Sequence, residues 1–332
     1  MTKFIGRQRN IGLGKEATRG DAVAPKYWYP VMEFTSDDKI VQAINESSYG
    51  VITDADDANV VKTFSEHEII GKVNHETFGL MLLGVSGAVA APALVSGETI
   101  VYDHIFSLAE NAQHYTFTLN NSEPNGDFAY PLCSVDALSI TAELEKFVMY
   151  DLTLRGNKNE AGTGSPSYNE DYFFLPQHCE VMLYADWTDL QANTNPTTYP
   201  FKKFTLNISK NVEDDQTLGD TNAIDRLNKQ FAIEGTLELL YDNRDFIDGI
   251  LLADAFKAMK LKMSNGDITL GVGSNPEFEI DLARVKVSEV ARDQANNDLV
   301  KQTITFKAFY SVLDAITLEM RLRNTEGTAY DA

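Results

Sequence analysis

The chain has 332 residues, enough for two ordinary domains or one large one, and 49 acidic against 28 basic side chains give a formal net charge of −21. That balance excludes a protein whose whole surface grips nucleic acid, since such a surface needs excess Lys and Arg to displace counterions. A hydrophobic content of 43% excludes wholesale disorder, and two cysteines, Cys133 and Cys179, exclude a disulfide-built scaffold or a four-cysteine zinc site.

Residues 1–26 form a basic N-terminal arm: Lys3, Arg7, Arg9, Lys15, Arg19 and Lys26 stand against Glu16 and Asp21. No apolar run follows these charges, so the segment does not read as a secretory peptide. Gly12-Leu13-Gly14-Lys15-Glu16 loosely resembles a phosphate loop. Glu16, however, stands where a hydroxyl is needed, and no strand is expected before it. A flexible arm is the expectation.

Residues 27–158 read as one β-rich unit. Its acidic stretch, 33–57, carries Glu33, Asp37, Asp38, Glu46, Asp54, Asp56 and Asp57 against Lys39. The three aspartates at 54–57 lack the spacing and glycine of a calcium loop. His67 and His75 lack the spacing that puts two imidazoles on one helical face. On a strand they stand roughly 25 Å apart, so surface histidines are expected and no metal site. Phe78–Val95 is 18 residues without charge, the lower limit for a membrane span. Its Gly79, Gly84, Gly87 and Pro92 favour a short buried helix followed by a loop, and no membrane span is expected. Tyr115, Phe117 and Leu119 alternate as a strand does.

Asn157–Glu170 has the Gly, Ser, Asn and Pro content of a linker, placed at 159–176. Beyond it, 177–324 repeats the order of the first unit, leaving 325–332 as a C-terminal tail. Glu68–Val73 matches Ala232–Leu237 around Gly71 and Gly235. Phe128, Leu132, Val135 and Ala137 match Phe278, Leu282, Val285 and Val287. Tyr150–Arg155 matches Gln302–Lys307, and the opening strands 27–36 and 199–209 correspond. Chance likeness between two β-rich halves is the alternative. Phe231, Ile233, Gly235, Leu237 and Leu239 alternate as a half-buried strand, as do Ile304, Phe306, Ala308 and Tyr310. Phe246, Ile250, Leu251, Ala255, Phe256 and Met259 recur at helical spacing, predicting one amphipathic helix per unit. Asn265-Gly266 predicts a hairpin joining Leu261–Met263 to Ile268–Leu270. Residues 211–225 form a second acidic stretch, with Glu213, Asp214, Asp215, Asp220 and Asp225 and no base. The fold expected is mainly β: two repeated sandwich or barrel-forming domains, each with a flanking helix.

No G-x-S-x-G elbow and no positioned carboxylate pair occurs, so an enzyme is not expected, and no catalytic, cofactor-binding or metal residue is assigned. A basic arm and two acidic loops on one molecule can attract across a subunit boundary, or serve solubility alone.

Ile11, Gly12, Gly14, Glu16, Thr18, Gly20, Ala22, Ala24 and Pro25, followed by the aromatic strand Tyr27–Pro30, resemble the opening of the phage tail tube protein family. Asp21 stands where that pattern more usually has a small or hydroxyl residue. The resemblance implies a structural virion protein that stacks as rings into a tail tube, a negatively lined conduit for DNA ejection. With six tube domains per ring, two repeats per chain imply a trimer acting as a pseudo-hexamer. It also implies tape-measure, terminator and initiator partners, passage of DNA without specific binding, and no cofactor. The location implied is the virion tail, and the host cytoplasm during assembly. The arm is then expected to dock on acidic segment 33–57 or 211–225 of an adjacent ring, ordering only on assembly. The alternative is a β-sandwich virion decoration or carbohydrate-binding module presenting Trp28, Tyr184 and Trp187.

Overall fold

Runs of alternating apolar and polar residues dominate the chain, and a period of two places every second side chain on one sheet face. In the computed structural model, which describes residues 3–296 and 299–332, these runs become strands. The first half holds β1 (Asn10–Lys15), β2 (Tyr27–Tyr29), β3 (Val31–Asn45), β4 (Asp57–Lys72), β5 (Gly87–Val89), β6 (Ala93–Leu94), β7 (Tyr102–Leu108), β8 (Phe117–Glu123), β9 (Gly126–Glu143), β10 (Met149–Gly156) and β11 (Glu160–Ala161). The second half holds β12 (Cys179–Tyr184), β13 (Thr197–Thr198), β14 (Phe201–Ser209), β15 (Glu213–Asp215), β16 (Asp225–Leu227), β17 (Ala232–Leu240), β18 (Lys257–Ser264), β19 (Glu277–Asp293), β20 (Lys301–Ala308) and β21 (Leu318–Asn324). Helices are few: α1 (Phe78–Ser86), α2 (Trp187–Ala192) and a π-helical turn at Asp245–Leu251. The fold is mainly β, as expected.

All named pairings are antiparallel. The order β3-β4-β10-β9 in the first half is matched by β14-β17-β20-β19 in the second. The two sets are joined edge to edge where Ala137–Glu143 of β9 pairs with Ser209–Lys203 of β14. The long strands β9 and β19 serve two sheets each. The first part of β9 pairs with β8, which continues through β1 to β2. The first part of β19 lies between β18 and β21, with β7 beyond β21 and β12 beyond β18. One apolar cluster runs through both halves, from Ile11 and Phe117 to Phe278 and Phe306. Helix α1 sits inside it with every residue buried; Phe78 touches Tyr150 and Phe278, ring centres 5.3 and 5.6 Å away. Asn74 accepts the Phe78 N–H at its start, and Gly87, at φ 82°, closes its end in the left-handed conformation. No helix among the described residues is long and apolar enough to cross a membrane.

The arm is not a loose appendage; Met1 and Thr2 lie outside the described residues. Residues 10–15 are a strand between β2 and β8, and the glycines of its motif exist for contact. A Cβ at Gly12 would lie 2.7 Å from that of Pro25, and one at Gly14 would overlap the Ala24 carbonyl. Glu16 is buried and accepts from Gly20 N (2.8 Å), Leu132 N (2.7 Å), Thr116 Oγ1 (2.7 Å) and Thr118 Oγ1 (3.1 Å). The expectations of a flexible arm and of order only on assembly are therefore corrected. The motif closes a strand-and-return onto β8, and the donors around it are taken by the Glu16 carboxylate.

Three further expectations change. The helix drawn through Phe246–Met259 stops at Leu251; Ala258 and Met259 are in β18, because that stretch is apolar at both periods and sheet pairing on both sides decides it. Asn265-Gly266 does turn, but β18 pairs with Glu277–Val285 rather than Ile268–Leu270. The intervening loop is held by Glu98, whose carboxylate accepts from Val272 N, Gly273 N, and the N and Oγ of Ser274. The glycine correspondence is also out of register with the closing strands. Gly71 faces Tyr150 and Gly235 faces Phe306, so the matches 71 with 235 and 150 with 302 cannot both hold.

Glu16→Ala leaves four donors, three of them buried, without their acceptor and should cost about 3 kcal/mol or more. The denaturant midpoint should fall with that change, and an unchanged midpoint would remove Glu16 from its structural role.

Candidate assembly interface

A sheet ends in edges, and each edge presents unpaired N–H and C=O groups. Along the row β3-β4-β10-β9-β14-β17-β20-β19, β3 pairs with β4 and with no other named strand among the described residues. At the other end, residues 287–293 of β19 pair with β20 on one side, and no named strand among the described residues pairs with the other. Both edges are charged and both are net acidic. β3 carries Glu33, Asp37 and Asp38 with Lys39, and the open end of β19 carries Glu289 and Asp293 with Arg292.

The interior joint shows how such edges meet. Leu138, Ile140 and Ala142 of β9 stand opposite Ile208, Leu206 and Phe204 of β14, all buried. Beyond Ser209 the chain bends at Asn211, φ 49°, and the β15–β16 hairpin folds down on the first half. Its anchor is Arg226, whose guanidinium donates to the carbonyls of Leu132 (2.7 Å) and Gly156 (2.8 Å), to Asn157 Oδ1 (3.1 Å) and to Asp214 (3.1 Å). Lys62 and Arg155 reach the same carboxylate. Burial pulls the Arg226 pKa below its ordinary value and Asp214 opposes the shift. Removing one partner from such a set leaves an uncompensated charge, a loss of about 3–5 kcal/mol. Behind the bend, Lys210 is buried and donates to the Gly84 carbonyl at 2.7 Å, near the end of α1. Desolvation pulls its pKa down to about 7. Arg19 of the arm binds Asp225 and donates to the carbonyls of His114 and Arg226 (2.8 Å to the latter). The arm thus meets acidic segment 211–225 within its own chain.

The face of the eight-strand row turned away from the core is polar. Thr141, Thr205, Thr236 and Thr305 stand directly opposite one another across four strands. Flanking them, Glu234 pairs with Lys307 and Glu143 with Lys203. Towards β4 the face becomes acidic, with Glu66, Glu68 and Asp151. Burial and the neighbouring Glu68 raise the Asp151 pKa to about 6.

The histidines read as surface groups are buried. His67 lies 4.3 Å from the Tyr130 ring, with Nε2 2.9 Å from Ser65 Oγ, and burial lowers its pKa to about 3. His75, Glu76 and Asp171 bring ligand-type atoms within 4.8 Å of one another. Yet His75 Nδ1 already accepts from Tyr172 N (3.1 Å), and Asp171 accepts from Thr77 N and Oγ1. Those bonds fasten the start of α1. Asp54, Asp56 and Asp57 lie at the far end of the β3–β4 hairpin. Of the three aromatics considered for a carbohydrate face, Trp28 and Tyr184 are buried and Trp187 is half-buried, so they form no such exposed platform. Arg226 and Lys210, central to the joint, were not singled out from the sequence; nothing in a local pattern distinguishes a buried base from a solvated one.

The chain thus combines antiparallel sheets with a polar face, a basic arm locked by Glu16 and two open edges on its long strand row. The sequence profile described as phage tail tube protein matches residues 6–308, and the chain belongs to that family. No curated protein registers as a match to the chain.

Lys210 gives a pH signature. Its folded pKa, about 7, lies below that of the unfolded chain, so the desolvation cost is fully present below pH 7. As pH rises from 7 towards 10.5, the folded protein releases this proton before the unfolded one does, and this group's contribution to stability increases. Lys210→Met should lose that slope in denaturant titrations; parallel profiles for both proteins over pH 7–10 would contradict it.

Proposed function

We propose that the chain polymerises as rings stacked axially into the tail tube, and that the tube conducts DNA during ejection. The observation that carries this is the pair of open edges on the β3-to-β19 row, together with the interior β9–β14 joint. The free end of β19 follows β20 as the end of β9 follows β10, and β3 precedes β4 as β14 precedes β17. Copies joined β19 to β3 continue the sheet by a pairing the chain already makes once.

Closure limits the copy number. With strands ~4.8 Å apart and tilted about 40°, three copies close ~24 strands at roughly 45–50 Å between opposite backbones. Two copies give ~16 strands, the size at which side chains leave only a narrow aqueous channel. Each chain then supplies two tube units, 27–158 and 177–324, joined by 159–176, and the ring is a trimer imitating a hexamer. Native mass spectrometry or cryo-EM of isolated rings should give three chains; six would overturn the duplication.

The polar face of the row becomes the lumen. Its central threonines offer no fixed cation to phosphate, Glu66 is matched by Lys39, and Glu68 and Asp151 repel it, so a duplex slides without lasting contacts. Glu68→Gln and Asp151→Asn together should slow DNA release from assembled virions. Unchanged ejection kinetics would sink the repulsive lining. Tape-measure, terminator and initiator proteins are the further partners of this reading, and the host cytoplasm is where the rings are built.

A further inference from the structure

The β3–β4 hairpin has a counterpart that is already docked. In the closing strands, Leu152 stands opposite Ile69 and Leu138, and Ile304 stands opposite Leu237 and Val290. The same single-residue bulge follows on each long strand, at Asp136 in β9 and at Ser288 in β19. From this frame Phe34, opposite Ile69, takes the place of Phe204, opposite Leu237. Counting outward, the pair Ala43 and Asn59 falls where Glu213 pairs with Leu227, and Ile44 with Ala58 falls where Asp214 pairs with Arg226. Val41, beside the irregularity between Val41 and Gln42, falls where Asn211 bends the chain.

The two hairpins differ in one respect. The β15–β16 hairpin is folded down with Arg226 1% exposed. The outer part of β3–β4 touches the β15–β16 turn only along β4, where Gln216 donates to the Val61 carbonyl and Thr63 pairs with Thr221 and Asn222, and its aliphatic side chains stay open: Ile40, Val41, Ile44, Val60 and Val61 are between 41% and 58% exposed. The seat of Arg226 is polar, made by the Leu132 and Gly156 carbonyls and Asn157. At the corresponding corner of the second half, Phe309 follows Ala308 where Asn157 follows Gly156. The surface there is an open groove of about 600 Å³ lined by Trp187, Phe256, Arg284, Val312 and Leu313. Val312 and Leu313 are 81% and 93% exposed. Guest and seat have therefore changed together, from an ion pair in a polar cradle to apolar side chains beside a groove whose surface is mostly apolar and is rimmed by Asp186, Lys257, Arg284 and Asp314.

We propose that the outer β3–β4 hairpin of one copy bends near Val41 and seats on the Phe256–Phe309–Leu313 corner of the laterally adjacent copy. This rests on the ring reading above and names its contact. The same frame sets the strand register between copies. Ser209 opposite Ala137 inside the chain becomes Lys39, already paired with Glu66 in its own chain, opposite Glu289 between chains, which adds a second carboxylate to that lysine directly across the junction. Other registers lose both this pair and the seat, so the hairpin acts as the register key of the ring. Burying several half-exposed aliphatic side chains supplies a driving force absent from the isolated chain.

Ile44→Glu and Leu313→Glu alter side chains that are exposed in the single chain, so the melting temperature of the unassembled protein should be unchanged. Assembly measured by sedimentation velocity should need at least tenfold more protein, and Ile44→Glu combined with Leu313→Lys should recover much of that loss. In a background with Cys133→Ala and Cys179→Ala, Lys39→Cys with Glu289→Cys should give interchain disulfides that run as closed oligomers without reductant. If wild-type protein forms rings while both Glu variants assemble equally well, or the cysteine pair never links chains within intact rings, the docking is wrong and the ring reading stands. If wild-type protein forms no ring at any concentration, both fall.

Discussion

Unsatisfied backbone groups at sheet edges are the constraint on which the rest of this protein depends. A row of strands in one chain must end twice, and each end is a template for pairing. Here one junction, between β9 and β14, is made inside the chain, and the other two edges are left open, each with a small acidic excess. The chain keeps the internal junction permanent by threading it with Arg226, Asp214 and Lys210, groups too costly to bury unless their partners are already in place. A junction between chains forms after folding, from groups that must first survive in water. Exposed aliphatic side chains tolerate that wait; a half-paired buried guanidinium does not.

The termini serve the same end. The arm strand β1 covers β8, and Lys15 reaches the Asp331 carbonyl near the chain's other end. Tyr330 is fully buried against α1 and the ring of Tyr27, donating to the Glu76 carbonyl. The first and last segments therefore clamp one corner of the first half, and Arg19 ties that corner to the hairpin folded over the internal junction. The motif glycines at 12 and 14 belong to this clamp because two backbone segments approach too closely there for any side chain.

Strands with a clean period of two were legible in the sequence, as in Phe231–Leu239 and Ile304–Ala308, because one face meets the core and the other meets water. The buried helix at Phe78 was legible from its small and apolar run ended by Gly87. Stretches apolar at more than one period were not: β18 supports a helical and a strand pattern equally, and only its partners β12 and β19 decide. Buried polar groups were illegible for a related reason. His67, Glu16 and Arg226 have neighbours distant in sequence, and their burial is a property of those neighbours. The candidate interface was legible only as a tally of acids. Its position emerges when the strand order shows which edges remain open.

The net charge of −21 need not be read as a property of the lumen. On the core-averted face of the strand row, threonines sit in register and several acids are matched by lysines, while the acidic excess gathers near β4 and on the outer hairpin. A lining of this kind resists adhesion mainly by keeping its cations paired with acids, and repulsion acts locally at Glu68 and Asp151. The larger share of the charge acts earlier, between free protomers, whose mutual repulsion opposes pairing of edges that are ready to pair. Lateral docking of an apolar hairpin must overcome that repulsion at short range, where surface charges are screened over a Debye length of about 8 Å in physiological salt. Assembly is thereby biased towards encounters that bury the hairpin and match the edge charges in one step, and away from edge contacts that do neither.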